Sequence, residues 1–252
     1  MHSKTDLMNN KNVVITGAAS GIGKATVKAF LEQGTCVIAL DKNQEALDLL
    51  VKDLAEFKNR IIPFAINVAD ELTIVSLFQV ISERFKHIDV LVNNAGILQF
   101  GATEDFSFQD WKRILSTNID SMFLCSQQVL KLMLKKGHGS IINISSTAGL
   151  VGSTHSAAYV TSKHAVIGLT KALAIEYADR SIRVNAICPG DVLTLMSSKY
   201  TEAEIKQVIL NHPIKRLGKP EEIADVAVFL ASEQASFMTG SVVSVDGGYT
   251  AI

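Results

Sequence analysis

Apolar positions along the chain recur with two different periods, and the two periods alternate. Short apolar runs typical of buried strands are Val13–Thr16, Cys36–Leu40, Ile61–Ile66, Val90–Val92, Ser140–Ile144, Val184–Ile187 and Val242–Val245. Segments with a helical period lie between them, near Ile22–Gln33, Gln44–Phe57, Glu71–Phe85, Trp111–Lys136, Ala157–Tyr177, Glu202–Leu210 and Glu221–Ala231. This order predicts an α/β fold with a single doubly wound, seven-stranded parallel sheet and helices on both faces, all strands being buried on both sides.

Length and charge narrow the class of protein. The 252 residues, with no repeat or linker, suit one domain over residues 1–252 with a flexible N-terminus over 1–10. A net charge of −1 gives no electrostatic reason to expect nucleic acid or an anionic membrane as partner. We expect a cytoplasmic protein, because no leader or membrane span is evident and Cys36, Cys125 and Cys188 lie far apart in apolar stretches. Such cysteines indicate reduced thiols and no metal site.

A glycine-rich turn over 16–23 joins the first predicted strand to the first helix. Gly17 allows a tight turn, Gly21 lets the backbone approach a pyrophosphate, and Gly23 lets the helix pack against the sheet. Asp41 ends the second strand eighteen residues after Gly23, where a carboxylate can accept hydrogen bonds from an adenosine ribose. The alternative for Asp41 is a turn residue that caps the helix beginning near Gln44.

A second group of residues indicates redox chemistry at an alcohol or ketone. Tyr159 and Lys163 are four residues apart, so on a helix the ammonium can stabilise the ionised phenol, although such a pair is also common on helix surfaces. A phenol of this kind can exchange a proton near neutral pH. Ser146, thirteen residues before Tyr159, adds a hydroxyl that can bind the reacting oxygen.

Over nearly its whole length the chain resembles the short-chain dehydrogenase/reductase family, which has a Rossmann-like fold. The resemblance rests on the spaced glycines, Asn93-Asn94-Ala95-Gly96, Asn118, Ser146, Tyr159, Lys163, Pro189-Gly190, Thr194 and Val245-Asp246-Gly247-Gly248. It implies that Tyr159 is the acid/base, that Ser146 positions the substrate oxygen and that Asn118 supports a water-linked proton relay. It also implies that Lys163 holds the ribose and lowers the pKa of Tyr159.

The same resemblance implies where a cofactor binds and how the chains assemble. It implies that Asn93–Gly96 stabilises the sheet beside the cofactor, and that the Thr194 region contacts the nicotinamide carboxamide. The expected cofactor-binding residues are Gly17, Ser20, Gly21, Ile22, Gly23, Asp41, Asn67, Val68, Asn94, Ala95, Gly96, Tyr159, Lys163, Pro189, Gly190, Val192 and Thr194. A homotetramer that pairs the helices near Trp111–Lys136 and Ala157–Tyr177 is expected on the same ground.

Asp41 favours NAD as the cofactor. Its carboxylate can accept hydrogen bonds from the ribose of NAD and would repel the 2′-phosphate of NADP. Relatives that use NADP often carry arginine or lysine at the position of Ser20. Lys42 keeps NADP open, and Asn67, where the family often has aspartate, makes the adenine contact less charged.

The substrate is much less determined by the sequence. The pocket of such a sheet lies beyond the carboxyl ends of its strands, which makes candidates of Gln99, Phe100, Thr147, His155, Asp191, Leu195 and Met196. His155 could bind a carbonyl or be incidental, and Asp191 could bind a hydroxyl or be a solvated turn residue. Residues 193–212 are expected to form a substrate lid.

Three functions fit these features. The first is an NAD-dependent oxidoreductase that transfers a hydride between nicotinamide and a secondary alcohol or ketone. The second is a 3-oxoacyl carrier-protein reductase of fatty-acid synthesis, which needs a basic surface for its acidic carrier, with Lys135, Lys136 and Arg180 as contributors. The third is a dinucleotide-sensing regulator without turnover, which has no chemical need for the four catalytic candidates together.

Overall fold

The structure is a computed structural model that describes residues 8–194 and 201–251. Its strands are β1 (Asn12–Thr16), β2 (Cys36–Asp41), β3 (Ile61–Ala65), β4 (Val90–Asn93), β5 (Gly139–Ile144), β6 (Ile182–Pro189) and β7 (Val242–Val245). Its α-helices are α1 (Gly21–Glu32), α2 (Gln44–Asp53), α3 (Glu71–Arg84), α4 (Phe108–Leu115), α5 (Ser121–Lys136), α6 (Ala157–Tyr177), α7 (Glu202–Asn211) and α8 (Pro220–Ala231). The strands form one parallel sheet in the order β3-β2-β1-β4-β5-β6-β7, which confirms the predicted fold class.

Two hydrophobic cores cover the two faces of the sheet. Alternate side chains of β1 enter different cores, because successive residues of a strand point to opposite faces. Val13 and Ile15 pack with residues of α1, α2 and α8, whereas Val14 packs with residues of α3, α5 and α6. The sheet is thus a rigid middle layer, and its carboxyl edge is available for ligands.

The prediction that every strand is buried on both faces is wrong for the two edge strands. In β3 the exposed residues Pro63 and Ala65 alternate with more buried ones, and in β7 Ser244 is exposed while the other three residues are partly buried. An edge strand pairs on one side only, and Pro63, which has no N–H to donate, is compatible with that position.

Two predicted helices differ from those observed. The predicted helix Trp111–Lys136 is two helices, α4 and α5, separated by a π-helical turn over Ser116–Asp120. The first of them begins at Phe108, where the Ser107 hydroxyl accepts a hydrogen bond from the Asp110 N–H at 3.0 Å. The predicted helix Gln44–Phe57 already ends at Asp53 and continues as a 3₁₀ helix. Apolar periodicity does not register such changes of pitch.

Some expectations fall partly outside the described residues. Of the N-terminal segment 1–10, residues 8–10 are described and Met8 is buried in the first core. Of the expected lid over 193–212, the described part includes α7, while Leu195 and Met196 lie outside it. The single domain stays a prediction. Across 8–194 and 201–251, no helix combines the length and apolar character that crossing a bilayer requires.

Candidate active site

The glycine turn between β1 and α1 lies at the carboxyl edge of the sheet, beside β4, where the strand order reverses. Gly17 has a φ of +62°, and a Cβ there would lie 2.9 Å from the Ala95 Cα. A Cβ on Gly23 would lie 1.9 Å from the carbonyl oxygen of Gly17. Both positions therefore require glycine, and the turn packs directly against the segment after β4. Ser20 and Ile22 belong to this turn, and Ser20, which is exposed, precedes the first residue of α1.

Thr16 fixes the glycine turn to the segment after β4, a role that the sequence reasoning missed. Its Oγ1 accepts hydrogen bonds from the N–H groups of Asn94 and Ala95, each at 3.0 Å. The Asn94 side chain returns two hydrogen bonds, from Nδ2 to the carbonyl oxygens of Thr16 and Gly17 at 3.0 Å each. In the sequence, the signal for this role is a threonine directly before the glycines, and the structure shows that this threonine is buried.

The Asp41 carboxylate bridges the glycine turn and the residue before α2. Its Oδ2 accepts a hydrogen bond from the Ala19 N–H at 3.1 Å, and its Oδ1 accepts one from the Asn43 N–H at 3.0 Å. Asn43 caps α2 instead, with Oδ1 accepting from the Ala46 N–H at 3.1 Å. The capping alternative for Asp41 is therefore wrong, and the carboxylate is held beside the glycine turn.

The residues after β3 are placed beside Asp41. The Ile66 N–H donates to the Asp41 carbonyl oxygen at 2.7 Å. Asn67 is exposed and its Oδ1 accepts from the Ala69 N–H at 3.2 Å, while Val68 is buried in the core. A carbonyl oxygen has two lone pairs, so the Asn67 side chain can still accept from an adenine amino group.

A buried polar network stiffens the middle of the sheet next to this edge. The Asn93 Nδ2 donates to the Asn143 Oδ1 at 2.9 Å and to the Ser126 Oγ at 3.1 Å. The Asn143 Nδ2 in turn donates to the Thr170 Oγ1 at 3.0 Å. These bonds connect β4, β5, α5 and α6, while the Asn93 Oδ1 is buried without a hydrogen-bond partner among the described residues.

Asn118 lies in the π-helical turn and is fully buried. Its side-chain amide makes two hydrogen bonds to the backbone of Ile97. The Oδ1 accepts from the Ile97 N–H at 2.8 Å, and the Nδ2 donates to the Ile97 carbonyl oxygen at 2.9 Å. The same Nδ2 donates to the Ser162 Oγ at 3.0 Å, and Ser162 donates to the Tyr159 carbonyl oxygen at 2.7 Å. Asn118 thus joins the segment after β4 to the helix that carries Tyr159. Single π turns of this kind occur often at functional sites.

Lys163 is buried beside Tyr159, with 4% of its surface exposed. Its Nζ donates to the Ile144 carbonyl oxygen at 2.9 Å and lies 5.6 Å from the centre of the Tyr159 ring. Burial lowers the pKa of Lys163 to about 8, and the nearby Cys188 opposes this effect only in part. The alternative of an ordinary surface pair is therefore wrong. At neutral pH the group still carries a positive charge, and such a charge favours a phenolate over a phenol.

Ser146 lies at the end of β5, on the same edge. The residue is half-buried, and its Oγ accepts a hydrogen bond from the Ala148 N–H at 3.1 Å as the cap of a short 3₁₀ turn over Thr147–Gly149. A hydroxyl that accepts within the protein can donate its own hydrogen to a bound oxygen.

The substrate candidates differ in their surroundings. The Gln99 Oε1 accepts a hydrogen bond from Arg113 of α4, so its carbonyl end is already engaged. Thr147 is half-buried next to Ser146, and Phe100 is exposed. His155 is exposed with a φ of +55°, and its carbonyl oxygen accepts from the Gly101 N–H at 2.8 Å.

The turn after β6 closes the other end of this edge. The Gly190 N–H donates to the Val245 carbonyl oxygen at 3.1 Å, and a Cβ on Gly190 would lie 2.9 Å from the Asp246 Cα. Val192 is buried in the first core. The Thr194 Cγ2 would lie 3.1 Å from a Cβ on Gly21, so the segment after β6 reaches the glycine turn.

These contacts bring Asp41, the glycine turn and the segments after β4 and β6 together at one edge of the sheet. Gly96 lies beside the catalytic candidates at this edge: a Cβ there would lie 3.5 Å from the Asn118 Oδ1 and 3.6 Å from the Lys163 Nζ. A crevice where the strand order reverses is the usual dinucleotide site of such sheets. Among the side chains that the structure describes, no group of three or more His, Cys, Asp or Glu residues is arranged to hold a metal ion.

Comparison with known proteins agrees with this geometry. A family model described as enoyl-(acyl carrier protein) reductase matches residues 17–250. A 3-oxoacyl-[acyl-carrier-protein] reductase of Thermotoga maritima is 41% identical over 241 residues, which cover 96% of this chain and 98% of the relative. The chain belongs to the short-chain dehydrogenase/reductase family.

Other members of the short-chain dehydrogenase/reductase family act on different alcohols. A cyclohexanol dehydrogenase of an Acinetobacter species is 40% identical, over 96% of each chain. The structure of a Beutenbergia cavernae protein described as a "putative NAD(P) dependent gluconate 5-dehydrogenase", with NADP bound at low occupancy, superposes with a TM-score of 0.92 at 33% identity, covering 97% of this chain and 98% of that one. The relatives are thus oxidoreductases of alcohols or ketones, with varied substrates.

Proposed function

We propose that this protein is an NAD-dependent oxidoreductase that transfers a hydride between nicotinamide and a secondary alcohol or ketone. The observation that carries the proposal is the buried ammonium of Lys163, 5.6 Å from the Tyr159 ring centre and beside Gly96 at the carboxyl edge of the sheet. Among the residues that the structure describes, Lys163 makes no ion pair, and a buried unpaired lysine destabilises the fold. A proton-transferring phenol beside it is a functional reason for such a lysine.

The chain has to manage one proton and hold two reactants in place. When bound, the nicotinamide supplies or accepts the hydride. Tyr159 takes the alcohol proton in oxidation and returns it in reduction, while the Ser146 hydroxyl donates a hydrogen bond to the same oxygen. Lys163 favours the phenolate, and Asn118 fixes the helix turn that carries Tyr159 through Ser162.

The position of Asp41 supports NAD over NADP. Its carboxylate is held by two backbone N–H groups beside the glycine turn, so it cannot easily turn away from a bound ribose. A ribose hydroxyl can donate to it, whereas a 2′-phosphate would bring like charge close to it. The relative from Beutenbergia cavernae has NADP bound, and Lys42 of this chain, which is exposed, supplies a positive charge nearby. An exposed lysine is worth only about 0 to 1 kcal/mol in such a contact, which is too little to offset the repulsion.

The second candidate function is reduction of a 3-oxoacyl carrier-protein thioester, because a reductase of that kind is 41% identical to this chain. Two of its three basic contributors are already engaged. Lys136 pairs with the buried Asp89, and Arg180 lies 3.6 Å from Asp179 and over the Tyr177 ring. Basic side chains that already pair with acidic ones attract an acidic carrier protein less strongly. We therefore favour a small alcohol or ketone as the substrate.

Assembly as a homotetramer is part of the proposal. Phe123 of α5 and Ile175 of α6 are 47% and 83% exposed, and apolar side chains in such positions are typical of surfaces that pair with another copy. The cytoplasmic setting stays a prediction, which the free thiols of Cys36, Cys125 and Cys188 support.

A turnover screen tests the proposed function. Secondary alcohols, sugars, hydroxy acids and acyl thioesters would each be offered with NAD(H) and with NADP(H), while the absorbance of the reduced nicotinamide is followed. The proposal expects turnover of alcohols or ketones with NAD(H). Turnover of acyl thioesters alone, with NADPH, would support the carrier-protein reductase. No turnover at all, with NAD bound, would support a regulator.

A further inference from the structure

His212 is a buried histidine outside the catalytic group, at the end of α7. Its side chain is 2% exposed, and its ring centre lies 5.4 Å from that of Tyr249 near the C-terminus. The Nδ1 lies 2.9 Å from the Val208 carbonyl oxygen, one helical turn earlier. The Nε2 lies 3.4 Å from the backbone N of Asp191 and 3.6 Å from its carboxylate. A single ring thus joins α7, the C-terminal segment and the turn after β6.

These contacts define the chemistry of the ring. The Val208 carbonyl can only accept, so Nδ1 carries a hydrogen. The Nε2 then accepts a hydrogen bond from the Asp191 N–H at 3.4 Å. Partial burial raises the pKa of Asp191, and His212 opposes that rise. Asp246, which directly follows β7, accepts hydrogen bonds from Gly248 and Thr250 instead. The ring therefore holds the backbone of Asp191.

The backbone beside the ring leaves little space for movement. A Cβ on Gly190 would lie 2.9 Å from the Asp246 Cα and 3.1 Å from the His212 Nε2, so Gly190 is enclosed between β7 and the imidazole. On the far side, the Gly218 N–H donates to the Asp191 carbonyl oxygen at 2.9 Å. The turn at Pro189–Asp191 is thus held from two sides, and on one of these sides the contact is made by the His212 side chain.

We infer that His212 is a positioning residue that fixes the Pro189–Asp191 turn, and thereby the nicotinamide half of the cofactor site. The inference rests on the proposed function, because it assumes that nicotinamide lies at this turn. The adenosine half of the site depends on Asp41 and the glycine turn, which His212 does not contact. Loss of the His212 polar groups should therefore weaken binding of the whole dinucleotide and leave binding of its ADP-ribose part unchanged.

The test compares two ligands by calorimetry, NAD and ADP-ribose, on folded protein checked by circular dichroism. His212→Phe keeps an aromatic ring against Tyr249 and removes both polar groups, and we expect the Kd for NAD to rise about fivefold, as loss of one hydrogen bond allows. The Kd for ADP-ribose should change by less than about twofold. His212→Gln, whose carbonyl can accept the Asp191 N–H, should restore most of the NAD affinity. If His212→Phe does not fold, His212→Leu makes the same comparison.

His164 is the matched control. Its Nδ1 lies 3.0 Å from the Val160 carbonyl oxygen, again one helical turn earlier, but the residue is exposed on α6. His164→Phe should change neither affinity. An unchanged NAD affinity in His212→Phe, or an equal loss of NAD and ADP-ribose affinity, would overturn the inference. Failure of the unmodified protein to bind either ligand would instead overturn the proposed function, and the inference with it.

Discussion

Replacing Lys163 with methionine should change how stability depends on pH. The ammonium is 4% exposed, and burial lowers its pKa from 10.5 to about 8. Between those pH values the unfolded chain binds more protons than the folded one, so the stability contributed by this group rises with pH. The full pKa difference between the unfolded and folded states corresponds to roughly 3 kcal/mol of unfolding free energy. Roughly 2 kcal/mol of this should be gained between about pH 7 and about pH 9.5.

The assay is urea unfolding of the protein without cofactor at about pH 7 and about pH 9.5. We compare the unfolding free energy of the wild type with that of Lys163→Met. The wild-type value minus the variant value should be roughly 2 kcal/mol larger at the higher pH than at the lower pH. Lys171→Met is the matched control, since Lys171 is exposed on the same helix, and its difference from the wild type should stay constant. A difference for Lys163→Met that does not change with pH would refute the assignment of a desolvated ammonium.

Two further predictions concern the cofactor and the assembly. The unmodified protein should prefer NAD over NADP by roughly one to three decades in kcat/KM. Asp41→Ala should narrow this preference, mainly by weakening the binding of NAD, and adding Ser20→Arg should improve kcat/KM with NADP. Steady-state kinetics with both cofactors checks these expectations. Equal or better efficiency of the unmodified protein with NADP would refute the role of Asp41. Light scattering at micromolar concentration should give the mass of four chains, and Phe123→Asp should lower it. A monomer mass for the unmodified protein would contradict the proposed tetramer.

The sheet could be predicted because its signal is local. A buried strand between two helices appears in the sequence as a short apolar run, and the parallel order of the strands follows from the helices that connect them. Helix ends can be equally local: Gly34 and Gly137 each have a φ of +84° just past a helix, a conformation that glycine adopts most readily.

The arrangement around the site could be predicted only in part. The glycine turn, Ser146, Tyr159 and Lys163 follow from spacing, but the π-helical turn at Asn118 does not, since it adds one residue to a turn without disturbing the apolar pattern much. The contact of Asp191 with His212 joins residues twenty-one positions apart in the chain, and no periodicity relates them. The engagement of Gln99 by Arg113 depends in the same way on how α4 packs, which no local pattern of the sequence specifies.

The central claim is that Tyr159 transfers the proton in an oxidoreductase reaction, and Tyr159→Phe tests it most directly. With the best substrate of the turnover screen, kcat should fall by roughly two to four decades, as expected for loss of general acid/base catalysis, while binding of NAD persists. Tyr177→Phe, on the same helix, is the control and should keep full activity. Activity of Tyr159→Phe close to that of the unmodified protein would contradict the claim.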